Sequence, residues 1–483
     1  MSDTPNPRVP RAQVYCDGFK RSQAIRRVLA SGKPPVAREW DPRMPVPAGA
    51  GIDRRRFLTG VVGGLALVYG AQRAGLTDRM LGDGIARAAE LQPANSPILV
   101  SLFIQGGLDS LSLLAPAGDP LYEKLRPTLA VAPGSGVTFA EDPSLMWHPS
   151  ATSIANLHAA GKVTVFPGIG YADPDLSHFT SRHYWEVGAT NAELTTGWLG
   201  RYLDVAGDPT NPFQGLSMDG SMNPTLATAK NPVAAIDQPN NFSVYLDGLW
   251  GNWSEWALDS ASSLGDILRR SSDPAIAQVA SAASEVGIVR KGLKPWANAA
   301  SNSTNPGATY GSSVTYPESA NDDLPARLAG LAAMIQHGVP LRCVALTTDV
   351  QFDTHSSQEG TFDPGLKLVS DSIAAFQADL EARGIDGRVL VHVWSEFGRR
   401  AQENGSDGTD HGAAGTSLLI GSRVTGGMIG EFAPLSNLDV NGNQKENVDF
   451  RGVYASLLEQ WFNHDAGAII PDAGRFPRYT LIS

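Results

Sequence analysis

The chain has 483 residues and a mass of 51.1 kDa, enough for two or three domains or for one large α/β domain with insertions. Its net charge is −11, but residues 1–58 carry +7, from 12 Lys and Arg against 5 Asp and Glu, which leaves −18 on the remainder. Because binding to nucleic acid or to an anionic membrane requires a basic face, the acidic remainder argues against both partners.

The basic N-terminal segment is predicted to be an export signal. Arg54-Arg55-Arg56-Phe57-Leu58 precedes a short apolar run over residues 59–69, which is typical of a twin-arginine signal. The signal residues are Arg54, Arg55, Phe57 and Leu58. The run is shorter than the about 20 apolar residues of a membrane span. We therefore expect a periplasmic or secreted protein, carried by the twin-arginine export machinery, without a stable membrane span after processing; the alternative is a basic start to a buried helix.

Strands and helices alternate after this leader. Residues 97–104 are almost continuously apolar, which predicts a buried strand. A helix is expected over residues 149–161, followed by a strand over 162–166 that Pro167 and Gly168 should break. The next helix should begin at Ser177 and end near Val187.

The same alternation returns near the C-terminus. We predict a strand over residues 341–347, a helix over 365–383 and a strand over 388–394, which implies right-handed crossovers and a parallel sheet. Residues 206–320 are interpreted as an insertion or cap, with a helical stretch over 260–291 and a flexible loop over 298–313. Cys343, inside an apolar run, should be a buried small hydrophobe.

Acidic and histidine motifs follow the predicted strands. Ligands bind outside the carboxyl ends of strands in an open α/β sheet, and clustered carboxylates and imidazoles are what a metal-assisted hydrolase requires. The candidate metal ligands are Asp109, Asp353, His355, Glu396, Asp410 and His411. They are remote in sequence, so only the fold could bring them together.

Two of these motifs also have structural interpretations. Asp109 follows a Gly-Gly turn and could instead cap the next helix. Asp353 and His355 are two residues apart, so in an extended loop they point the same way and can share one ion. Asp349 is an alternative to Asp353, and the segment could otherwise be a polar loop.

The motifs that contain Glu396 and His411 also have more than one interpretation. Glu396 ends an apolar strand and could be a ligand, or a surface acid paired with Arg399 or Arg400. His411 could bind metal, with Asp410 as a ligand or as the residue that orients it. The structural alternative for His411 is a solvated loop histidine.

Ser177 and His178 are the candidate catalytic residues. A serine that begins a helix is commonly its N-cap. The unsatisfied N–H groups at the same position would also favour a metal-activated serine nucleophile toward a phosphate or sulfate ester. His178 or His183 could contact substrate or metal, whereas His148 more simply precedes a helix.

Taken together, these motifs resemble the bacterial domain-of-unknown-function 1501 family. The resemblance is carried by the arginine leader, Gly106-Gly107-Leu108-Asp109, Ser177-His178-Phe179 before Tyr184-Trp185-Glu186, Asp353-Thr354-His355, Trp394-Ser395-Glu396-Phe397-Gly398-Arg399 and Asp410-His411-Gly412. It covers residues 96–465 and is weak through 206–320. That family is similar to the alkaline phosphatase and sulfatase superfamily, which implies an α/β fold with a large, mostly parallel central sheet and helices on both faces.

The resemblance also implies roles for individual residues. Asp109 would be the first-strand metal ligand, Ser177 the nucleophile, Asp353 with His355 the central ligand pair, Glu396 the strand-end acid and His411 the last histidine. Phe397 stands where the superfamily usually has a histidine and cannot bind metal, so one ligand is missing unless Asp410 and His411 supply it. The implied cofactor is one divalent ion (zinc, calcium or manganese), and the alternative is a site that has lost its metal.

These observations predict an export leader and linker over residues 1–90 and a single alkaline phosphatase-like domain over 91–483. The predicted function is an exported, metal-dependent hydrolase of a phosphate or sulfate ester, acting on a small molecule or a polysaccharide. The alternative is a non-catalytic periplasmic or envelope binding protein on the same scaffold, which Phe397 and the loop-rich insertion would favour.

Overall fold

The computed structural model describes residues 96–242 and 252–483. The arginine motif at 54–58 and the leader over 1–90 lie outside the described residues. No helix in the described ranges combines the length and the apolar character needed to cross a membrane.

The described strands, in chain order, are β1 Ile98–Phe103, β2 Leu114–Ala115, β3 Val137–Thr138, β4 Met146–Trp147, β5 Val163–Gly170, β6 Gly215–Ser217, β7 Ala234–Ala235, β8 Cys343–Thr347, β9 Val389–Trp394, β10 Arg399–Glu403, β11 Thr409–His411, β12 Gly415–Ile420, β13 Gly427–Met428 and β14 Val448–Asp449. The central sheet has the order β13-β5-β12-β9-β1-β8-β6-β7, with β14 also paired to β5. β12 is antiparallel to both neighbours, and the other pairings are parallel. The predicted large, mostly parallel sheet is confirmed.

The described α-helices are α1 Ser110–Leu113, α2 Pro120–Leu125, α3 Thr152–Ala159, α4 His178–Val187, α5 Trp198–Ala206, α6 Asn252–Leu268, α7 Pro274–Leu293, α8 Pro306–Thr309, α9 Leu324–Gln336, α10 Glu359–Ala382 and α11 Phe450–Gln460. Successive residues of β1 face opposite sides of the sheet. Val100 and Leu102 pack in one core with residues of α3, α9 and α10, and Leu99 and Phe103 pack in the other with residues of α4, α5 and α11. Helices therefore cover both faces, as predicted.

The strands that lead to the candidate site form where the sequence predicts them. β1, β8 and β9 are neighbours in the sheet and run parallel, so their carboxyl ends meet at one edge. Cys343 in β8 is fully buried, as its apolar surroundings predict. Its burial raises the pKa of the thiol, which fits an inert packing role.

The prediction that Pro167 and Gly168 break the second strand is wrong. β5 continues to Gly170, and its register with β12 shifts between Phe166 and Ile169. An extra residue in one strand forms a β-bulge, and a bulge tolerates a residue without an N–H group. The proline is therefore absorbed by a local irregularity and does not end the strand.

The long helix before β9 begins earlier than predicted. α10 starts at Glu359 and contains Pro364, although proline in a helix removes one backbone hydrogen bond. Phe362 in the added turn is buried and packs against Phe352 and His148. This tertiary packing offsets the lost hydrogen bond. A prediction of the helix start from the position of proline does not take such packing into account.

Residues 206–320 are less separate from the sheet than an insertion or cap would be. They supply β6 and β7, which extend the central sheet in parallel beyond β8. The predicted single helical stretch is a pair of packed helices, α6 and α7. The segment expected to be a flexible loop contains the short helix α8.

Candidate metal centre

The carboxyl ends of β1, β8 and β9 bring several of the predicted residues together. Asp353 and His355 follow β8, Glu396 follows β9, His411 ends β11 and His178 is the first residue of α4. His178 and Glu396 are fully buried, and His411 is nearly so. These side chains, 233 positions apart at the extremes (His178 to His411), meet at the edge of the sheet where ligands of α/β proteins bind.

Three imidazoles face one carboxylate oxygen. Oδ1 of Asp353 lies 3.3 Å from Nε2 of His178, 3.0 Å from Nε2 of His355 and 3.2 Å from Nε2 of His411. The ligand atoms of His178, Asp353 and His411 all lie within 4.8 Å of one another. His355 adjoins this group, because its Nε2 is 3.0 Å from Nε2 of His411.

The other ring nitrogen of each histidine has an acceptor. Nδ1 of His178 lies 2.6 Å from Oε1 of Glu396, and Nδ1 of His355 lies 3.3 Å from Oδ1 of Asp410. Nδ1 of His411 lies 2.8 Å from the carbonyl oxygen of Leu176. With the proton on Nδ1, each Nε2 carries its lone pair toward Asp353, which is the arrangement found around metal-binding histidines.

Electrostatics favour the ionised acid and a neutral His411. Burial alone would raise the pKa of Asp353, but it is lowered instead: the Arg399 guanidinium 2.7 Å away favours the ionised acid, as does a hydrogen bond from any histidine that carries its proton on Nε2. Burial lowers the pKa of His411 to about 4, so this imidazole is neutral near pH 7. A carboxylate and a neutral imidazole are the forms that bind metal.

These residues pass a chemical test for a cation site. Unprotonated Nε2 atoms at 3.0–3.3 Å from a carboxylate oxygen repel it unless a proton or a cation lies between them. His178, His411 and Asp353 offer two imidazole nitrogens and one carboxylate oxygen, a three-ligand set of the kind found at catalytic zinc sites, and His355 adjoins them. Among the residues that the structure describes, His178, Asp353 and His411 form the one group of three such side chains whose ligand atoms lie close enough together, within 4.8 Å, to hold an ion.

Arg399 joins the loops around this centre, a role that the sequence did not reveal. Its guanidinium donates to Oδ1 of Asp353 at 2.7 Å, to the carbonyl oxygens of Gly107 and Thr409 at 2.8 Å, and to those of Gly106 and Phe352. These carbonyls lie on the turn after β1, on the loop after β8 and on strand β11. The sequence suggested Arg399 only as a partner for Glu396.

Glu396 contacts the centre through His178. Its carboxylate accepts the backbone N–H groups of Gly106 and Gly107 at 3.1 Å, and the hydroxyl of Ser395 lies 3.0 Å from Oε2. Burial alone would raise the pKa of Glu396, but the hydrogen bond from Nδ1 of His178 lowers it. The expected pairing with Arg399 or Arg400 is replaced by these contacts, and Glu396 stands behind a histidine where a direct ligand was predicted.

Asp109 points into a different network. Its two oxygens receive both terminal nitrogens of Arg126, one of them at 2.8 Å, and also Nε2 of Gln358 at 2.6 Å. Asp109 also caps α1 through the N–H group of Leu111. The structure therefore corrects its predicted place among the ligands and agrees with the alternative of a helix cap. No sequence rule links it to Arg126, which lies beyond α1.

The remaining candidates have mainly structural contacts. Ser177 is the N-cap of α4 and accepts the N–H group of Phe179 at 3.3 Å. His148 precedes a helix, as predicted, and accepts the N–H group of Ser150. Asp349 pairs with Arg327 at 2.7 Å, away from Asp353.

Phe397 packs against two histidines of the centre. Its ring centroid lies 4.8 Å from that of His178 and 4.7 Å from that of His411. The position that cannot supply a ligand thus fixes the planes of two residues that can. Asp410 contacts His355, and this hydrogen bond lowers the pKa of Asp410 to about 2.

Comparisons with known proteins give one family and several distant structures. Residues 267–475 match the family described as "Protein of unknown function (DUF1501)", and no curated protein matches the chain. The chain is similar to a protein in the alkaline phosphatase superfamily from Vibrio parahaemolyticus, with 11% identity, a TM-score of 0.35 and coverage of 89% of this chain and 80% of that chain.

Two further solved structures show a likeness of the same degree. One is the C-terminal periplasmic domain of EcEptC from Escherichia coli in complex with Zn, with 10% identity, a TM-score of 0.34 and coverage of 78% of this chain and 87% of that one. The other is the PsFucS1 sulfatase from Pseudoalteromonas sp., with 11% identity, a TM-score of 0.30 and coverage of 83% and 78%. These scores describe a distant likeness, so the chemistry of this site follows from its own geometry.

The family match spans much of the candidate centre. It includes Asp353 and His355 after β8, Glu396 after β9, and Asp410 and His411 in β11, whereas His178 lies before its start. The predicted resemblance to the domain-of-unknown-function 1501 family is thereby confirmed over residues 267–475.

Proposed function

We propose that this protein is an exported, metal-dependent hydrolase of a phosphate or sulfate ester. The observation that carries the proposal is the convergence of three Nε2 atoms on Oδ1 of Asp353, at 3.0–3.3 Å. The arginine motif at 54–58 supports export through the twin-arginine pathway to the periplasm or beyond.

Zinc fits the donor set best among the three candidate ions. Calcium prefers six to eight oxygen ligands, and manganese also favours carboxylate, carbonyl and water oxygens. His178 and His411 supply nitrogen and Asp353 supplies one oxygen. Three protein ligands with an open position are typical of catalytic zinc sites.

His355 is the accessible histidine of the centre. Its side chain is 20% exposed, compared with 0% for His178 and 3% for His411. We assign it the role of proton acceptor at Nε2, with Asp410 holding the proton on Nδ1. When bound, the ion would supply Lewis-acid stabilisation of the ester oxygens and lower the pKa of the attacking hydroxyl or water.

Two groups could deliver that nucleophile. The Ser177 hydroxyl accepts from Phe179, which leaves its own proton available for transfer. It stands directly before His178 at the positive end of α4. Water is the alternative nucleophile, and substitution of Ser177 separates the two.

The test combines metal content with turnover. Purified protein should retain about one zinc per chain and hydrolyse aryl phosphates or aryl sulfates, and the variants Asp353→Asn and His411→Ala should lose both properties while remaining folded. His337→Ala, which removes an exposed histidine at the end of α9, is the matched control and should change neither. Wild-type protein that binds no zinc, manganese or calcium and turns over neither ester would contradict the proposal.

One observation favours a second candidate, a non-catalytic binding protein. The Arg399 guanidinium already places a positive charge 2.7 Å from Oδ1 of Asp353, so the carboxylate is partly neutralised without any ion. Zinc binding without turnover of any ester would support this alternative.

A further inference from the structure

We propose that Glu396 is a positioning residue for the metal centre. By holding the proton on Nδ1 of His178, it presents the Nε2 lone pair of that histidine to the ion. This inference rests on the proposed function, because it concerns the same centre. It replaces the predicted role of Glu396 as a direct ligand.

The contact between the two residues is short and fully buried. Nδ1 of His178 lies 2.6 Å from Oε1 of Glu396, and both side chains have 0% exposure. A charge-assisted hydrogen bond without competing water is stronger than one at the surface. A carboxylate behind a metal-binding histidine fixes the tautomer and the ring orientation, and it makes the ligand nitrogen more basic.

The Gly-Gly turn after β1 holds the carboxylate in place. Gly106 and Gly107 have φ values of 107° and 77°, which glycine adopts readily, and both N–H groups point at Glu396. A Cβ atom on Gly106 would lie 2.5 Å from the backbone nitrogen of Asp353, and one on Gly107 would lie 2.5 Å from the ring of Phe397. Successive backbone N–H groups of this kind stabilise an anion.

The motif that appeared to introduce Asp109 as a ligand therefore serves another acid. Its two glycines supply hydrogen bonds to Glu396 and allow the loop of Asp353 to approach closely. Asp109 itself is occupied by Arg126. The strand-end turn acts on the centre through Glu396 and His178.

The acceptors at Nδ1 of His355 and His411 are weaker than Glu396, so the effects of removing Glu396 and Asp410 on zinc affinity can be compared within one protein. Asp410 lies 3.3 Å from His355, and its side chain is 35% exposed. The support of His411 is the uncharged carbonyl oxygen of Leu176. Removal of the charge at Glu396 should therefore cost more zinc affinity than removal of the charge at Asp410.

The experiment is a zinc titration by competition with a chromophoric chelator. Glu396→Gln keeps the size of the side chain and should weaken zinc binding by about 10–100-fold, the usual cost of losing such a support. Asp410→Asn is the matched control, with a smaller expected loss. The variants are compared only after circular dichroism and thermal melting of the metal-free proteins show an intact fold.

A double-mutant cycle separates positioning from general damage. If Glu396 acts through His178, Glu396→Gln should change the zinc Kd by less than about threefold once His178→Ala is present. A substitution that merely destabilises the fold is expected to change the zinc Kd by a similar factor with and without His178→Ala. An equal loss in both backgrounds, or an unchanged Kd in the folded single variant, would overturn the inference.

Histidine ¹⁵N chemical shifts of the zinc-loaded wild type provide a measurement that needs no variant. The expected signature is zinc on Nε2 of His178 and a retained proton on Nδ1; zinc on Nδ1 would refute the positioning role even if Glu396→Gln does not fold. The proposed function fails separately, when His178→Ala and Asp353→Asn leave the zinc Kd unchanged. Weaker zinc binding in those two variants with no effect of Glu396→Gln refutes only the present inference.

Discussion

Two acid-rich clusters lie at the carboxyl edge of the sheet, and they are built in opposite ways. In the first, Asp353 is the centre and three imidazoles surround it. In the second, Arg327 is the centre, and it contacts Asp219, Asp322 and Asp349 at 2.7–3.4 Å. Each cluster contains one guanidinium, Arg327 in the second and Arg399 in the first. Only the first adds three imidazole nitrogens, which a metal ion would unite with Asp353.

This difference explains why acids at strand ends do not by themselves indicate a metal site. Asp349 and Asp353 both follow β8 and are separated by three residues. One oxygen of Asp349 accepts from Arg327 and from the N–H group of Asp323, so its role is structural. The informative property is the group that each carboxylate faces, which local sequence does not specify.

The largest expected effect is on zinc affinity, when each of the two acids after β8 is separately replaced by asparagine. Asp353→Asn should weaken zinc binding by more than the about 10–100-fold that follows loss of an outer support. Asp349→Asn should leave the zinc Kd within about threefold of wild type, since sites without shared partners behave independently. Competition titration measures both, and equal losses in the two variants would erase the distinction between the clusters.

The next effect concerns folding stability in the Arg327 cluster. Arg327→Met would leave Asp322, which is 3% exposed, without its cation. Removing one partner of a buried ion pair costs about 3–5 kcal/mol, so the free energy of unfolding in urea should fall by about that amount. Zinc affinity should not change; a loss of zinc binding that exceeds the loss of folded protein would show that the clusters are coupled.

Acidification should act in opposite directions on the two clusters in metal-free protein. The pKa of His411 is about 4 in the folded state, below the ordinary 6.5, so the unfolded chain binds more protons as pH falls from 6.5 to 4. Stability should therefore fall by about 3 kcal/mol across that window. Burial raises the pKa of Asp322 above 3.8, so protonation of that residue favours the folded state.

The measurement is urea unfolding between pH 7 and pH 4 with a chelator present. His411→Asn should remove most of the loss of stability below pH 6.5. Asp322→Asn should make the loss on acidification steeper, because it removes a group that binds a proton preferentially in the folded state. A wild-type profile that is flat between pH 6.5 and pH 4 would contradict the neutral, buried state of His411.

The sequence predicted the sheet better than the partners of its charged residues. The apolar runs that become β1, β8 and β9 are long and bounded by turns, so local pattern was enough. Asp109 could not be assigned in the same way, because its partner Arg126 approaches from beyond α1 and its other partner Gln358 precedes α10. Pairing of charges across elements depends on tertiary geometry, as does the burial of Phe362 that extends α10.

The sequence predicted several members of the candidate site, but not Arg399 and not the roles. Asp353 and His355 after β8 lie near Glu396 after β9 because both strands end at the same edge of the sheet, whereas His411 is brought there by β11, part of a separate two-stranded sheet. The same rule could not show that Glu396 stands behind His178, since both a ligand and its support follow a strand end. Leu176 gave no signal at all, because it contributes a backbone carbonyl.

The smallest expected effect on stability comes from removing a helix cap, and comparing two such caps also tests the nucleophile. Ser177 caps α4 beside the candidate centre, and Asp449 caps α11, which packs in the core on one face of the sheet. Loss of either cap should cost about 1 kcal/mol of folding free energy. If the Ser177 hydroxyl is the nucleophile, Ser177→Ala should also abolish ester turnover with an unchanged zinc Kd, whereas Asp449→Ala should retain turnover. Full turnover in Ser177→Ala would assign the attack to water and leave Ser177 as a helix cap. A stability loss of about 1 kcal/mol leaves the protein folded, so loss of the nucleophile would still be seen as lost turnover.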